Sequence, residues 1–396
     1  MKHLFVTQDY PPDSGGMARR HVELVRRFSN DTESMEVSTI TLDDAAAFDS
    51  GENYPIHRQP FHFREANRFT KQIAWSRWLN RYARDNVDVL HCGNIRPAGY
   101  PVLWAKMRLG IPYIVYVNGG DLLRELQKTS ESRLKKTMAR RILGSASGIA
   151  ATSDWVADLT RQVMDHVGVA SPPPIEALAL GTDPETFSPS RDTGRLRRKW
   201  RIGDDPVLLT VARLIPHKGQ DVVIRAVARL RSQFPNLRYV IVGEGIDEHR
   251  LKACVRELHV EPNVVFAGAI PDSDLPEAYA TATIYTGASR IDNVINAEGF
   301  GISFLEASSS GLPVVAGDSG GVRSAVRDGE TGIVLPPQDV DAWADTIAEL
   351  LQSESRRRSV GDAGRRAVET FYNWERVARD TREFTLSVVK ASRAQR

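Results

Sequence analysis

Cysteine is scarce in this chain: Cys92 and Cys254 are the only two in 396 residues, and they lie far apart. That excludes a disulfide framework. The nine histidines show no metal-ligand spacing, so no metal site is expected, and reduced thiols in a cytoplasmic protein are. An excess of one charge is also missing. Lys and Arg number 52 against 50 Asp and Glu, a net charge of +2, which argues against a nucleic-acid partner. No apolar run approaches the ~20 residues of a membrane-spanning helix. The opening run from Leu4 to Val6 is too short for the apolar core of a signal peptide. Low-complexity segments are absent.

What is present is ordinary soluble composition, 41% hydrophobic and 26% charged, in a chain too long for one ordinary core. Two domains are therefore expected, and the sequence reads as two similar halves. A buried strand at residues 3–7 precedes the loop Tyr10-Pro-Pro-Asp-Ser-Gly-Gly16 and a helix through Val22, Leu24, Val25 and Phe28. The second half repeats the scheme with a strand at 207–212, the loop Arg213-Leu-Ile-Pro-His-Lys-Gly219 and a helix through Val222, Val223, Ala226 and Leu230. Further short apolar runs at 87–90, 113–117, 148–152, 239–242, 264–267, 283–286 and 314–316 alternate with helical stretches. Strands alternating with helices predict two doubly wound, Rossmann-like α/β domains with parallel sheets. Residues 171–189, rich in proline and turn formers, are the expected hinge. Ligands of such sheets sit beyond the carboxyl ends of strands, so the loops at 11–16, 213–219 and 298–306 are expected to line one central cleft.

The segment Glu298-Gly-Phe-Gly-Ile-Ser-Phe-Leu-Glu306 is the most informative. It reads as a glycine bend feeding a helix N-terminus, where backbone N–H groups and the helix dipole favour an anion. A carboxylate on either side of that anion site can accept bonds from hydroxyl donors. Hydroxyls, then diphosphate, then hydroxyls describe a nucleotide-sugar. Arg213 and Lys218, five positions apart on one strand-to-helix loop, are cations suited to the diphosphate.

These stretches, with Ile241-Val-Gly-Glu-Gly245, Val264-Val-Phe-Ala-Gly268, Ser319-Gly-Gly-Val322 and Asp328-Gly-Glu-Thr-Gly332, resemble the GT-B glycosyltransferases of family 4 along nearly the whole chain. The resemblance implies an N-terminal, acceptor-side domain over about 1–180, completed by a C-terminal helix from about 374–396, and a nucleotide-sugar domain over 190–373. It implies a retaining hexosyltransferase using a UDP- or GDP-sugar, with no cofactor required and the leaving phosphate assisting front-face transfer. By the same resemblance Glu298 holds donor-sugar hydroxyls, Gly299, Phe300, Gly301 and Ile302 line the sugar and phosphates, and Glu306 takes the ribose diol. Arg213 and Lys218 hold the diphosphate, Gly15 and Gly16 approach it, and Ile270 marks the nucleobase contact.

Three departures stand out. Relatives carry His–Gly after the strand ending at Val117, whereas this chain has Asn118-Gly-Gly-Asp121; Asp121 either orients the acceptor hydroxyl or shares with Asn118 a turn that bonds its own backbone. Arg323-Ser324 stands where Pro–Glu is common. A polar insert at 291–297 is similar to inserts of mannosyltransferases acting on lipid-linked inositols. The hydroxyl acceptor is left open among sugars, polyols and lipid headgroups. Residues 61–82 bear on that choice, although Trp75, Trp78, Leu79 and Tyr82 at helical spacing read as core. His91 and Cys92 read as a buried structural pair. Arg133, Lys135, Lys136, Arg140 and Arg141 on one helix read either as a solvated face or as a peripheral contact with anionic lipid at the inner membrane face. The alternatives to transfer are another GT-B enzyme, a nucleotide-sugar epimerase or sugar phosphorylase, or a silent nucleotide-sugar-binding protein.

Overall fold

The structure, a computed structural model, describes residues 1–13, 15–60, 68–291 and 296–394. It divides into two compact units: Met1–Ala179 with Trp374–Arg396, and Leu180–Asn373.

The first unit is built on β1 (Lys2–Val6), β2 (Ser34–Ile40), β3 (Ile56–Gln59), β4 (Val89–Cys92), β5 (Tyr113–Val117), β6 (Gly148–Ala151) and β7 (Ile175–Ala177). They form one sheet in the order β3-β2-β1-β4-β5-β6-β7, and every pairing is parallel. The central strands are continuous apolar runs because helices cover both faces; all five residues of β5 are buried. The helix Gly16–Phe28 lays Val22, Leu24, Val25 and Phe28 on the core. The helix Trp374–Ala394 joins the same core through Val388 and Val389. Its Arg382 guanidinium donates to the Arg27 and Phe28 carbonyls at 2.8 and 2.9 Å, placing a cation on the negative end of the first helix.

A hydrogen-bonded chain runs through this core. Glu33 Oε2 lies 2.6 Å from His3 Nε2, His3 Nδ1 2.9 Å from His91 Nε2, and His91 Nδ1 2.7 Å from the Tyr116 hydroxyl. Burial lowers both histidines, His91 well below the ordinary range, so both are neutral. The carboxylate can only accept, which fixes every proton: Tyr116 donates to His91, His91 to His3, and His3 to Glu33.

The second unit is built on β8 (Val207–Val211), β9 (Arg238–Val242), β10 (Val264–Gly268), β11 (Ile284–Gly287), β12 (Val314–Gly317) and β13 (Ile333–Leu335). Its order is β10-β9-β8-β11-β12-β13, again parallel throughout. The direction of winding reverses between β8 and β11, and there the loops leaving adjacent strands diverge and open a crevice.

Four strands were not among the expected runs. β3 is a polar edge strand, Ile-His-Arg-Gln, with only Gln59 buried, and β2 buries Ser38 and Thr39 along with its apolar residues. β13 is three residues long. β7 lies inside the stretch 171–189 expected to be a hinge; it pairs with β6, and the chain leaves the first unit only at Ala179. Trp75 and Leu79 are fully buried, whereas Trp78 and Tyr82 are half-buried and stack with ring centres 5.1 Å apart. Residues 61–67 and 292–295, parts of the segments tied above to acceptor choice, lie outside the described residues.

Candidate functional site

All six strands of the second sheet deliver their carboxyl ends to one edge, and the expected donor residues follow three of them, β8, β10 and β11. Arg213 comes two residues after β8 and its side chain is exposed; its guanidinium has no ion-pair partner among the described residues. Its carbonyl accepts a bond from Gln220 Nε2 at 3.1 Å. The short 3₁₀ turn Pro216–Lys218 then aims the Lys218 ammonium at Glu298, with Nζ 2.5 Å from Oε2. Gly219 ends the turn at φ +72°, and a Cβ there would lie 1.9 Å from the Ala288 carbonyl oxygen, so no other residue fits.

Glu298 is held from three sides. Lys218 pairs with its carboxylate, Ser289 Oγ donates to Oε2 at 3.3 Å, and its carbonyl accepts the Gly321 N–H at 2.8 Å. Burial acts to raise its pKa, but the Lys218 charge and hydrogen bond, with His217 and Ser289, outweigh that and hold it below the ordinary glutamate range. Glu298 is therefore a fixed, ionised acceptor. Gly299 follows, then Phe300, 2% exposed, with its ring centre 6.5 Å from that of Tyr372. Gly301 takes φ +96° and starts the helix Ile302–Ser309, whose first turn presents backbone N–H groups. A Cβ at Gly301 would strike the Phe304 ring at 2.4 Å. Glu306 is buried one turn further on and accepts the Tyr279 hydroxyl at 2.6 Å. Ile270, half-buried, follows β10. Arg323, of the Arg323-Ser324 pair that stands where Pro–Glu is common, pairs with Asp318 at 2.7 Å on the surface.

The remaining residues belong to the first unit. Gly15 and Gly16 are exposed at the start of their helix with open space around both. Asn118 caps the helix Gly119–Glu131: its Oδ1 accepts the Asp121 N–H at 3.2 Å and its Nδ2 donates to Asp121 Oδ2 at 2.8 Å. Asp121 also pairs with Arg124. Of the two readings offered for this turn, the self-bonding one describes the local geometry.

Two features were missed from sequence. Ser289, directly before Arg290, bonds Glu298 across the insert and carries no motif of its own. Asp9 sits beyond β1, its Oδ2 bonded by Asn94 Nδ2 at 2.8 Å. Burial, with Asp121 adding to it, raises Asp9 to about 6 despite the Asn94 bond. The aspartate preceding Tyr10-Pro-Pro was the available signal. Beside it, His21 is lowered to about 3 by burial and by the charge of Arg20, so its Nδ1–H donates to the Asp9 carbonyl at 2.8 Å. Among the described residues no group of three or more His, Cys, Asp or Glu is arranged to hold a metal ion, and no helix is long and apolar enough to cross a membrane.

A cation loop, an ionised acceptor and a glycine-led helix start thus lie on one sheet edge. Residues 192–367 match the family described as glycosyl transferases group 1, and residues 15–181 the glycosyl transferase 4-like domain. A GDP-mannose-dependent monoacylated alpha-(1-6)-phosphatidylinositol monomannoside mannosyltransferase of Corynebacterium glutamicum is 30% identical over 382 residues, 94% of this chain and 95% of that one. A GDP-mannose-dependent alpha-(1-6)-phosphatidylinositol monomannoside mannosyltransferase of Mycolicibacterium smegmatis is 39% identical over 202 residues, where the match spans about half of each chain, 50% and 53%. Among solved structures, Anabaena HepE in complex with UDP superposes with a TM-score of 0.78 at 19% identity, covering 98% of this chain and 100% of that one, a likeness of fold. The chain belongs to the GT-B glycosyltransferases of family 4. It is a glycosyltransferase that draws on a nucleotide-sugar donor.

Proposed function

We propose that this protein transfers mannose from GDP-mannose, with retention at the anomeric carbon, to a hydroxyl of an inositol-phosphate lipid headgroup. The observation that carries the site is the Lys218–Glu298 pair at the carboxyl edge of the second sheet. Guanine and mannose, rather than the uridine alternative, are favoured by what the relatives are named for, and so is the lipid headgroup over a free sugar or polyol.

In this reading Glu298 accepts bonds from the mannose hydroxyls, while the backbone of Gly299, Phe300, Gly301 and Ile302 lines sugar and phosphate. Glu306, whose carboxylate accepts the Tyr279 hydroxyl, takes the ribose diol. Arg213 and Lys218 take the diphosphate, and Ile270 borders the base. In the transfer itself, the bond from C1 to the phosphate oxygen breaks as the acceptor oxygen bonds C1 on the same face. The acceptor proton passes to the departing phosphate, which leaves as GDP. The protein's part is to orient and to neutralise charge. Asn118 and Asp121, already bonded to each other, would act on the acceptor by position rather than as acid or base.

A membrane contact fits the same acceptor. Arg133, Lys135, Lys136, Arg140 and Arg141 lie on the helix Arg133–Gly144, have no ion-pair partner among the described residues, and share that helix with Leu134, which is 73% exposed. Each such cation adds about 1 kcal/mol of attraction to an anionic leaflet. Charge reversal at the five positions should release the protein from phosphatidylinositol-containing liposomes; unchanged binding refutes this contact.

The main test is product formation from GDP-mannose or UDP-glucose with phosphatidylinositol mannoside or free inositol phosphate. An α-linked mannoside of the lipid supports the proposal. A β-linked product, or turnover that requires free phosphate, refutes it in favour of inversion or a phosphorylase.

A further inference from the structure

Three consecutive residues leaving β11 each grip a different part of the donor machinery. The Ala288 carbonyl lies against Gly219, Ser289 Oγ donates to Glu298, and Arg290 reaches both the cation turn and the helix it feeds. The Arg290 backbone N–H donates to the His217 carbonyl at 2.8 Å. Its guanidinium Nη1 donates to Asp221 at 3.1 and 3.3 Å, in the first turn of the helix Gln220–Leu230 that the cation turn feeds. Both side chains are largely enclosed, 15% and 14% exposed, so the pair is screened less than a surface one. Arg250 stands 3.5 Å from the same Asp221 carboxylate and is itself tied to Asp247 at 2.6 Å.

We propose that Arg290 is a positioning residue for sugar transfer: bonded to the His217 carbonyl and to Asp221, it fixes the turn that aims Lys218 at Glu298 and at the donor diphosphate. The proposal rests on the donor-site reading above. A lysine ammonium is a point charge on a flexible four-carbon stem, so its aim depends on the backbone that carries it. Within the turn itself the restraint is local, Lys218 N–H to the Ile215 carbonyl at 2.9 Å. Arg290 supplies bonds that tie the turn and its following helix to the neighbouring strand end. A displacement of about 1 Å in a catalytic charge can cost roughly 100-fold in rate. Arg290 thereby links the two loops on either side of the point where the winding reverses, and Asp221 is the shared anchor.

The test uses the full-length protein with Arg290→Met, Arg290→Lys, Asp221→Asn and the Arg290→Met/Asp221→Asn double variant, with Lys218→Met as reference. Melting temperature, kcat, donor KM and the ratio of GDP to GMP affinity are measured. A lost aim of Lys218 selectively weakens the ligand bearing the second phosphate, which a merely structural defect would not do. We expect Arg290→Met to cut the preference for GDP over GMP about tenfold and to lower kcat at least as much, while the protein still melts cooperatively. Arg290→Lys should recover part of both. Asp221→Asn should reproduce the defect, and the double variant should be no worse than either single one, because both act through one contact. An unchanged GDP preference and kcat in Arg290→Met, or additive losses in the double variant, overturn the proposal. If Arg290→Met does not fold, Arg290→Lys and Asp221→Asn carry the same comparison. Retained GDP preference in Lys218→Met would instead overturn the site reading beneath it.

Discussion

Lys218 and Glu298 stand 80 positions apart in sequence and 2.5 Å apart in space, each less than a fifth exposed. The pair keeps Glu298 ionised and Lys218 oriented, so removing either leaves a half-buried charge without its partner. Glu298→Ala and Lys218→Ala are each expected to lower kcat/KM at least 100-fold, about 3 kcal/mol, in a protein that remains folded. Steady-state kinetics beside a thermal melt check this, and near-normal turnover in either variant would refute the assignment.

Glu306 is predicted to govern the ribose rather than the sugar. Glu306→Gln should raise donor KM about tenfold with a smaller change in kcat, and should erase the preference for GDP over 2′-deoxy-GDP. The comparison of those two nucleotides by calorimetry decides it. Tyr279→Phe, which removes the bond to Oε2, should have a milder effect in the same direction.

Asn118 earns its place first as a helix cap. Asn118→Ala should cost about 1 kcal/mol of stability and Asn118→Ser much less, measured by urea unfolding. Equal losses in both would contradict the capping role.

Stability should fall on mild acidification. His3, His21 and His91 are buried with pKa values lowered in the folded chain, so the unfolded chain binds more protons as pH drops below about 6.5. For His21 that loss continues down to about 3. Asp9 works the other way: raised to about 6 when folded, it holds a proton that the unfolded chain has lost, which favours folding as pH falls from 6 toward 3.8. Three histidines against one aspartate give a melting temperature that drops from pH 7 to pH 5. A flat or rising profile would contradict the neutral assignment.

Much of this was legible because parallel sheets write themselves as apolar runs. Tyr113–Val117 and Val264–Gly268 stand out by composition, and Gly219 and Gly301 mark bends that a side chain would block. Glu298, Arg213 and Lys218 could be read because a diphosphate needs cations and a helix start in fixed order along the chain. β3 and β7 escaped because edge strands keep one flank in solvent and need little apolar surface. The partners Tyr279 for Glu306 and Ser289 for Glu298 also escaped, since a bond between side chains of separate segments leaves no periodicity. The same holds for Glu33, His3, His91 and Tyr116, which come from four separate segments.

That buried chain from Glu33 to Tyr116 also makes the protein its own spectroscopic gauge. Each imidazole holds one tautomer, with the proton on Nε2, because a carboxylate at one end and a phenol at the other leave no second arrangement. The ring nitrogens of His3 and His91 should therefore give sharp, well-separated ¹⁵N resonances. Their collapse to averaged values would report the first unit opening before any loss of helix is visible.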